Sequence, residues 1–196
     1  MAMTFFASLQ TTTPDGYILS VQRIPLGRTD QTPGDRIPVL LQHGVLMDGV
    51  TWLLNSPDQS LAFILADSGV SVCAQNQTGQ KLHYVGHSLG TLLALASFSK
   101  EKLLGMLLSA ALLSPIAYLG HIPSVVTRAA SESYGGQDAL SDPSDVQLLL
   151  DNLKDHDGDK LVVQYIKDYA QADFVMPVNA KLLVYNPLMD FFQLHS

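Results

Sequence analysis

The 196-residue chain contains one cysteine, Cys73, so no disulfide can close within it and the redox compartment is left open. Cys73 sits in an apolar run and reads as a buried core thiol. Charge is also scarce. Only 15% of residues are Asp, Glu, Lys or Arg, and 18 acidic against 11 basic residues give a formal charge of −7. That balance lacks the basic patches that hold nucleic acid or an anionic membrane face. No apolar run suits a bilayer span: the longest, Leu89 to Pro115, is broken by Lys100-Glu101-Lys102 and reads as a helix followed by a buried strand. The patch Phe5-Phe6-Ala7 has neither the basic flank nor the length of a signal peptide. Repeats and low-complexity segments are absent from the sequence. Asp155-His156-Asp157-Gly158-Asp159 fails as a calcium loop, because Leu153 and Gln164 stand at its first and last ligand positions. No metal or cofactor is expected. What is present, 47% hydrophobic residues over this length, suits one domain with a substantial core.

The most informative stretch is Leu82-His83-Tyr84-Val85-Gly86-His87-Ser88-Leu89-Gly90-Thr91. An apolar run ends in Gly-x-Ser-x-Gly and passes directly into a helical pattern through Leu92 to Ala96. Strand, sharp turn with one serine, and helix make a nucleophile elbow. Gly86 and Gly90 would remove side chains that collide at such a turn. A helix beginning at Leu89 would point free amides and its positive dipole end at an oxyanion formed on Ser88. The bland alternative is a serine in an ordinary Gly-rich turn.

Around this stretch, strand and helix patterns alternate, which argues for a mostly parallel α/β sheet with flanking helices. Pro14-Asp15-Gly16 marks a hairpin within Thr11–Gly27, followed by a polar loop to Pro38. Ile37–Gln42 and Gly69–Ala74 read as buried strands, with a helix in the second half of Thr51–Leu65 capped by Ser56 or Asp58. Leu103–Ser109 reads as a further strand, and Tyr118–Ser133 as loop or short helix. A turn at Gly135-Gly136-Gln137-Asp138 follows. The pattern then predicts a helix over Pro143–Lys154 started by Ser141 or Asp142, a strand over Lys160–Ile166, and a closing helix over Val184–Gln193 with Pro187 near its start. Phe191-Phe192 reads as packing of that helix.

Several segments go further than a generic pattern. Thr13-Pro14-Asp15-Gly16-Tyr17, Leu41-Gln42-His43-Gly44-Val45-Leu46-Met47-Asp48, Trp52-Leu53-Leu54-Asn55, Gly86-His87-Ser88-Leu89-Gly90-Thr91 and Tyr134-Gly135-Gly136-Gln137-Asp138 stand in one order. In that order the chain resembles the acid lipase family of α/β-hydrolases, which includes gastric and lysosomal acid lipases and, closest, plant triacylglycerol lipases. The resemblance covers almost the whole chain. It implies hydrolysis of lipid carboxylic esters, triacylglycerols or sterol esters, through an acyl-serine intermediate. Ser88 would be the nucleophile, the backbone amides of Val45 and Leu89 the oxyanion hole, and Asp138 the acid of the triad. Read from the residues alone, Asp138 is either that acid or a turn aspartate, with Asp142 the better helix cap. Members of the family are secreted or reside in lysosomes or vacuoles.

The departures from the family are specific. The family's catalytic histidine lies in a His-x-Asp-Phe setting, and the matching position here holds Gln171, in Gln171-Ala172-Asp173-Phe174. A glutamine amide cannot take the serine proton at neutral pH. His43, His83, His87, His121, His156 and His195 all read as structural or exposed. The resemblance also implies two shortened regions. A crossover between the Cys73 strand and the elbow strand is reduced to about six residues, which in extended form reach roughly 20 Å. The cap that shapes the acyl pocket is reduced to a stub at 115–133. The expectation is a single abbreviated α/β-hydrolase domain over 1–196, with residues 1–36 as hairpin and loop. It would be either a lipase-type hydrolase impaired at Gln171 or a catalytically inactive copy that keeps the scaffold.

Overall fold

The computed structural model describes residues 7–28, 36–72, 80–100, 104–118, 138, 141–155 and 160–196. The N-terminal hairpin pairs β1 (Ala7–Thr12) with β2 (Ile18–Arg23) antiparallel, in register from Ala7–Arg23 to Thr12–Ile18. Its tip is the Pro14-Asp15-Gly16 turn. Gly16 takes φ +92°, where a Cβ would be strained, and Thr13 N donates to Tyr17 O at 2.8 Å.

Among the described residues the central sheet has four parallel strands in the order β4-β3-β5-β6: β3 (Pro38–Gln42), β4 (Ser71–Val72), β5 (Leu82–His87) and β6 (Leu107–Leu113). Strand β5 lies inside the sheet and is buried from His83 to His87, so its run is apolar with little alternation. The strand leading to Cys73 and the elbow strand are parallel and separated by β3; Cys73 itself and 74–79 lie outside the described residues. A bridge from Ile24 to Val72 attaches the hairpin to the β4 edge.

Among the described residues, four α-helices accompany the sheet: α1 (Leu61–Asp67), α2 (Leu89–Phe98), α3 (Pro143–Leu153) and α4 (Asn186–Leu194). Helix α3 starts as its sequence predicts. The Asp142 carboxylate accepts from Ser144 N at 2.9 Å and Asp145 N at 3.4 Å, with Pro143 in the first turn. Helix α4 also forms at the closing segment, preceded by a wide π-type turn at Lys181–Tyr185. The core joins Val39 and Val85 of the sheet to Leu61 and Leu65 of α1 and to Val184, Tyr185 and Phe192 at the C-terminal end.

Three expectations change. The helix near Thr51–Leu65 begins only at Leu61, after Ser60, and not at Ser56 or Asp58. Ser60 Oγ donates back to Asn55 O at 2.7 Å, while Asp48 caps a separate single 3-10 turn, Gly49–Leu53. The strand expected at Leu103–Ser109 begins at Leu107, because Gly105 and Met106 form a turn before it. The segment Lys160–Ile166 makes no strand: it is irregular, with Val162, Val163 and Tyr165 exposed, and no described strand pairs with it. The turn at Gly135-Gly136-Gln137, the cap stub beyond Tyr118, and His121 and His156 lie outside the described residues.

Candidate functional site

Ser88 stands between β5 and α2 with φ 55° and ψ −120°, a conformation costly for any residue with a Cβ, by about 1–3 kcal/mol. The surroundings impose it. Ser88 N donates to Leu113 O at 3.1 Å, tying the turn to the end of β6. Ser88 O accepts from Thr91 N at 2.8 Å and from Thr91 Oγ1 at 2.6 Å, closing the first turn of α2. Thr91 Oγ1 in turn accepts from Ile116 N at 2.8 Å.

The two glycines of the motif are required by close approach. A Cβ on Gly90 would stand 2.6 Å from the Gln42 carbonyl oxygen, and one on Gly86 would stand 2.9 Å from the Gly90 carbonyl carbon. Gly44 plays the same part from β3: its Cβ would lie 2.9 Å from Ser88 Cβ and 3.2 Å from Ser88 Oγ. The His43-Gly44-Val45 turn is thus pressed against the serine, with Val45 beside it, and Leu89 opens α2 immediately after it. Leu46, next in the turn, takes φ 59° and is 92% exposed, with Val50, Leu54 and Met176 as exposed apolar neighbours.

Gln171 meets this turn from the C-terminal half of the chain. Its side-chain amide nitrogen donates to Ser88 Oγ, and its Oε1 is buried without a hydrogen-bond partner among the described residues. Its backbone carbonyl accepts from His87 Nε2 at 2.7 Å. Since a carbonyl only accepts, Nε2 carries the proton and the lone pair lies on Nδ1, which is buried and unpartnered among the described residues. Burial pushes the His87 pKa down, against the opposing influences of the Gln171 carbonyl and the Asp138 charge. Ser88 itself is 1% exposed, closed over by these contacts.

Asp138 is described although its neighbours are not. Its carboxylate accepts from Ser114 Oγ and from Ser141 N, the latter at 3.0 Å. Ser114, just after β6, has a left-handed φ of 51°, and Ser141 Oγ donates to Pro115 O at 2.8 Å. Ser114 is a residue that the sequence reading passed over. The only signal for it is a Ser-Pro pair closing an apolar strand. The other described histidines stand elsewhere. His43 Nδ1 donates to Gly44 O at 2.9 Å, His195 packs on Phe191, and His83 lies under α4. Among the described residues no three His, Cys, Asp or Glu side chains converge as a metal site.

The arrangement brings a strained serine, a helix N-terminus, a glycine turn and an amide donor to one point. The chain as a whole is similar to known proteins at three levels. Residues 6–56 match a family described as the partial alpha/beta-hydrolase lipase region. Triacylglycerol lipase 2 of Arabidopsis thaliana is 30% identical over 346 aligned positions, covering 92% of this chain and 83% of that lipase. Because 346 positions exceed the chain's own length, much of that lipase lies opposite gaps. The gastric triacylglycerol lipase of Homo sapiens is 32% identical over 61% of this chain, which spans 41% of that lipase. Among solved structures, the Pyrococcus furiosus esterase Pf2001 superposes with a TM-score of 0.66 over 98% of this chain and 93% of its own, at 14% identity.

Proposed function

The chain belongs to the acid lipase-like family of α/β-hydrolases, and from that premise we propose that it is a lipase-type serine hydrolase of lipid carboxylic esters with strongly reduced turnover. Ser88 is the nucleophile. The amides of Val45 and Leu89 receive the oxyanion, and Asp138 occupies the place of the triad acid. The acyl group would pass from the ester oxygen to Ser88 Oγ and then to water, the alcohol leaving with the serine proton.

One observation carries the reduced turnover: the Gln171 amide donates to Ser88 Oγ where a base would accept from it. An amide nitrogen has no basic lone pair, so the proton has nowhere to go as the new bond forms. The serine is also nearly inaccessible, so an ester carbonyl reaches it only when Gln171 swings aside. The exposed apolar collar of Leu46, Val50, Leu54 and Met176 beside the oxyanion turn favours a lipid ester over a small soluble one.

Turnover of a short-chain and a long-chain ester by the purified protein, with Ser88→Ala as blank, tests this reading. The expected result is a rate near the blank for the natural chain and a rise of at least about a hundredfold in Gln171→His, since an intact triad contributes several orders of magnitude. Robust turnover in the natural chain that vanishes in Ser88→Ala overturns the impairment. If neither form turns over, the protein is a scaffold only, and the shortened segments count for more than the missing base.

A further inference from the structure

The side chain of Gln171 is a carboxamide, and a carboxamide is itself an acyl compound. The fold holds it against the one serine whose turn suits attack on an acyl carbon, and both partners are fixed. Ser88 is tied through its amide to Leu113 O and through its carbonyl to Thr91. Gln171 opens the 3-10 turn Gln171–Phe174. The entry to that turn is closed by Ala170 N donating to Asp173 Oδ2 at 2.7 Å and Asp173 N donating to Ala170 O at 3.0 Å. The Gln171 backbone carbonyl is tied to the elbow by His87 Nε2 at 2.7 Å, and Tyr169 and Val175 on either side are buried.

The Gln171 amide nitrogen donates to Ser88 Oγ. The carbonyl carbon is bonded to that nitrogen at about 1.33 Å, so it stands within about 4 Å of the hydroxyl oxygen. Oε1 is buried without a hydrogen-bond partner among the described residues, so turning the amide about Cγ–Cδ loses no bond at oxygen. That turn presents the face of the carbonyl carbon to Oγ. Ser88 is almost wholly buried, so water does not compete for the carbon.

We infer that Ser88 and Gln171 join in an internal ester. The inference rests on the reading of Ser88 as nucleophile and goes beyond it, because the acyl donor is the chain's own side chain. Ser88 Oγ adds to Gln171 Cδ, and the nitrogen, now tetrahedral, gains the basic lone pair that the planar amide lacks. It takes the serine proton and leaves as ammonia when the Cδ–Nε2 bond breaks. The product is an Oγ–Cδ ester. Nothing is oxidised or reduced, and no other reactant enters. In its starting position Oε1 meets no described donor to steady the growing charge, so the step is slow. It occurs only once in each molecule, and well-oriented groups held together reach effective concentrations of about 10⁵ M or more. Burial then shields the ester from water, and escape of ammonia into dilute solution draws the reaction forward. The joined fraction has no free serine and contributes no turnover.

Intact-mass measurement of the purified natural chain, kept at mildly alkaline pH and sampled over days, tests this. The expected result is the loss of one ammonia per chain in a growing fraction. In a digest, the peptides holding Ser88 and Gln171 should run as one, and neutral hydroxylamine should part them, leaving a hydroxamate at position 171. Ser88→Ala and Gln171→Leu should keep the full sequence mass. Should either lose its far-UV circular dichroism, Gln171→Asn replaces it: the shorter arm keeps a carboxamide but withdraws it from Oγ, and the full mass is again expected. A natural chain that stays at full mass, ammonia loss that persists in folded Ser88→Ala, or a join that maps to other residues would each overturn the inference. Turnover in Gln171→His is read separately, since that variant has no carboxamide to join. Full mass in the natural chain together with a gain of turnover in Gln171→His removes the ester and leaves Ser88 as nucleophile.

Discussion

Side chains of almost no size govern the elbow. Gly90 approaches the Gln42 carbonyl so closely that a single methyl would sit 2.6 Å from a backbone oxygen, and backbone does not step aside. Gly90→Ala should destabilise the protein by about 3 kcal/mol, seen as a lower urea midpoint with unchanged slope. Gly16→Ala at the hairpin tip is the contrast: nothing lies within 4 Å of a Cβ there, so only the positive φ is penalised, by about 1 kcal/mol. Equal effects of the two would mean that β3 and the elbow shift enough to admit the methyl at Gly90. The glycine motif was legible in the sequence because the spacing of Gly86, Ser88 and Gly90 admits few uses. Gln171 was legible only through the family resemblance. Nothing in its own neighbourhood announces that an amide will meet a serine 83 positions earlier. Ser114 was not legible, because a serine after a strand has many ordinary roles.

Pairs of elements explain the pH dependence to be expected. His83 of β5 is fully buried, stacks on Phe192 of α4 at 4.2 Å, and lies 2.7 Å through Nδ1 from Ser109 Oγ of β6. Ser196 Oγ, just beyond α4, stands 3.4 Å from its Nε2. Burial, with a smaller contribution from nearby His195, pushes its pKa down to about 4, whereas in the unfolded chain it titrates near 6.5. Between these values the unfolded state binds the extra proton. Stability therefore falls as pH drops from about 6.5 toward 4 and is flat with respect to this group above that window. The loss should reach roughly 2–3 kcal/mol. His87 shifts in the same direction, so His83→Gln should remove part of the slope and not all of it. Urea unfolding at pH 7, 5.5 and 4.5 on both proteins checks this, and an undiminished slope in the variant would place the acid sensitivity elsewhere.

The same scale shows why some elements were misjudged from sequence. Asp142 with Pro143 is a cap that needs only local chain, and it formed where expected. Ser60 was overlooked as the start of α1 because its hydroxyl turns back to Asn55, a contact with no sequence signature. Lys160–Ile166 has the composition of a strand, but a strand also needs a partner, and the ground beside β6 is cavity.

For the molecule as a whole, the α/β class was readable because alternating buried strands and helices leave few other packings. The sheet order was readable only by analogy, since the residues of β3 and β4 do not say which neighbour each will take. The cavity was not readable at all: it is a property of what surrounds an edge, and no residue in its lining marks it alone.

That edge has a colloidal consequence. Among the described residues β6 carries no strand on its outer side, so its backbone amides and carbonyls there are available to another chain once the loosely held 161–166 stretch parts. Such pairing is second order in protein. Under mild heating the half-life of soluble material should therefore shorten as the solution is made more concentrated, with light scattering rising in step. A half-life independent of concentration would mean that the edge stays covered and that loss proceeds one molecule at a time.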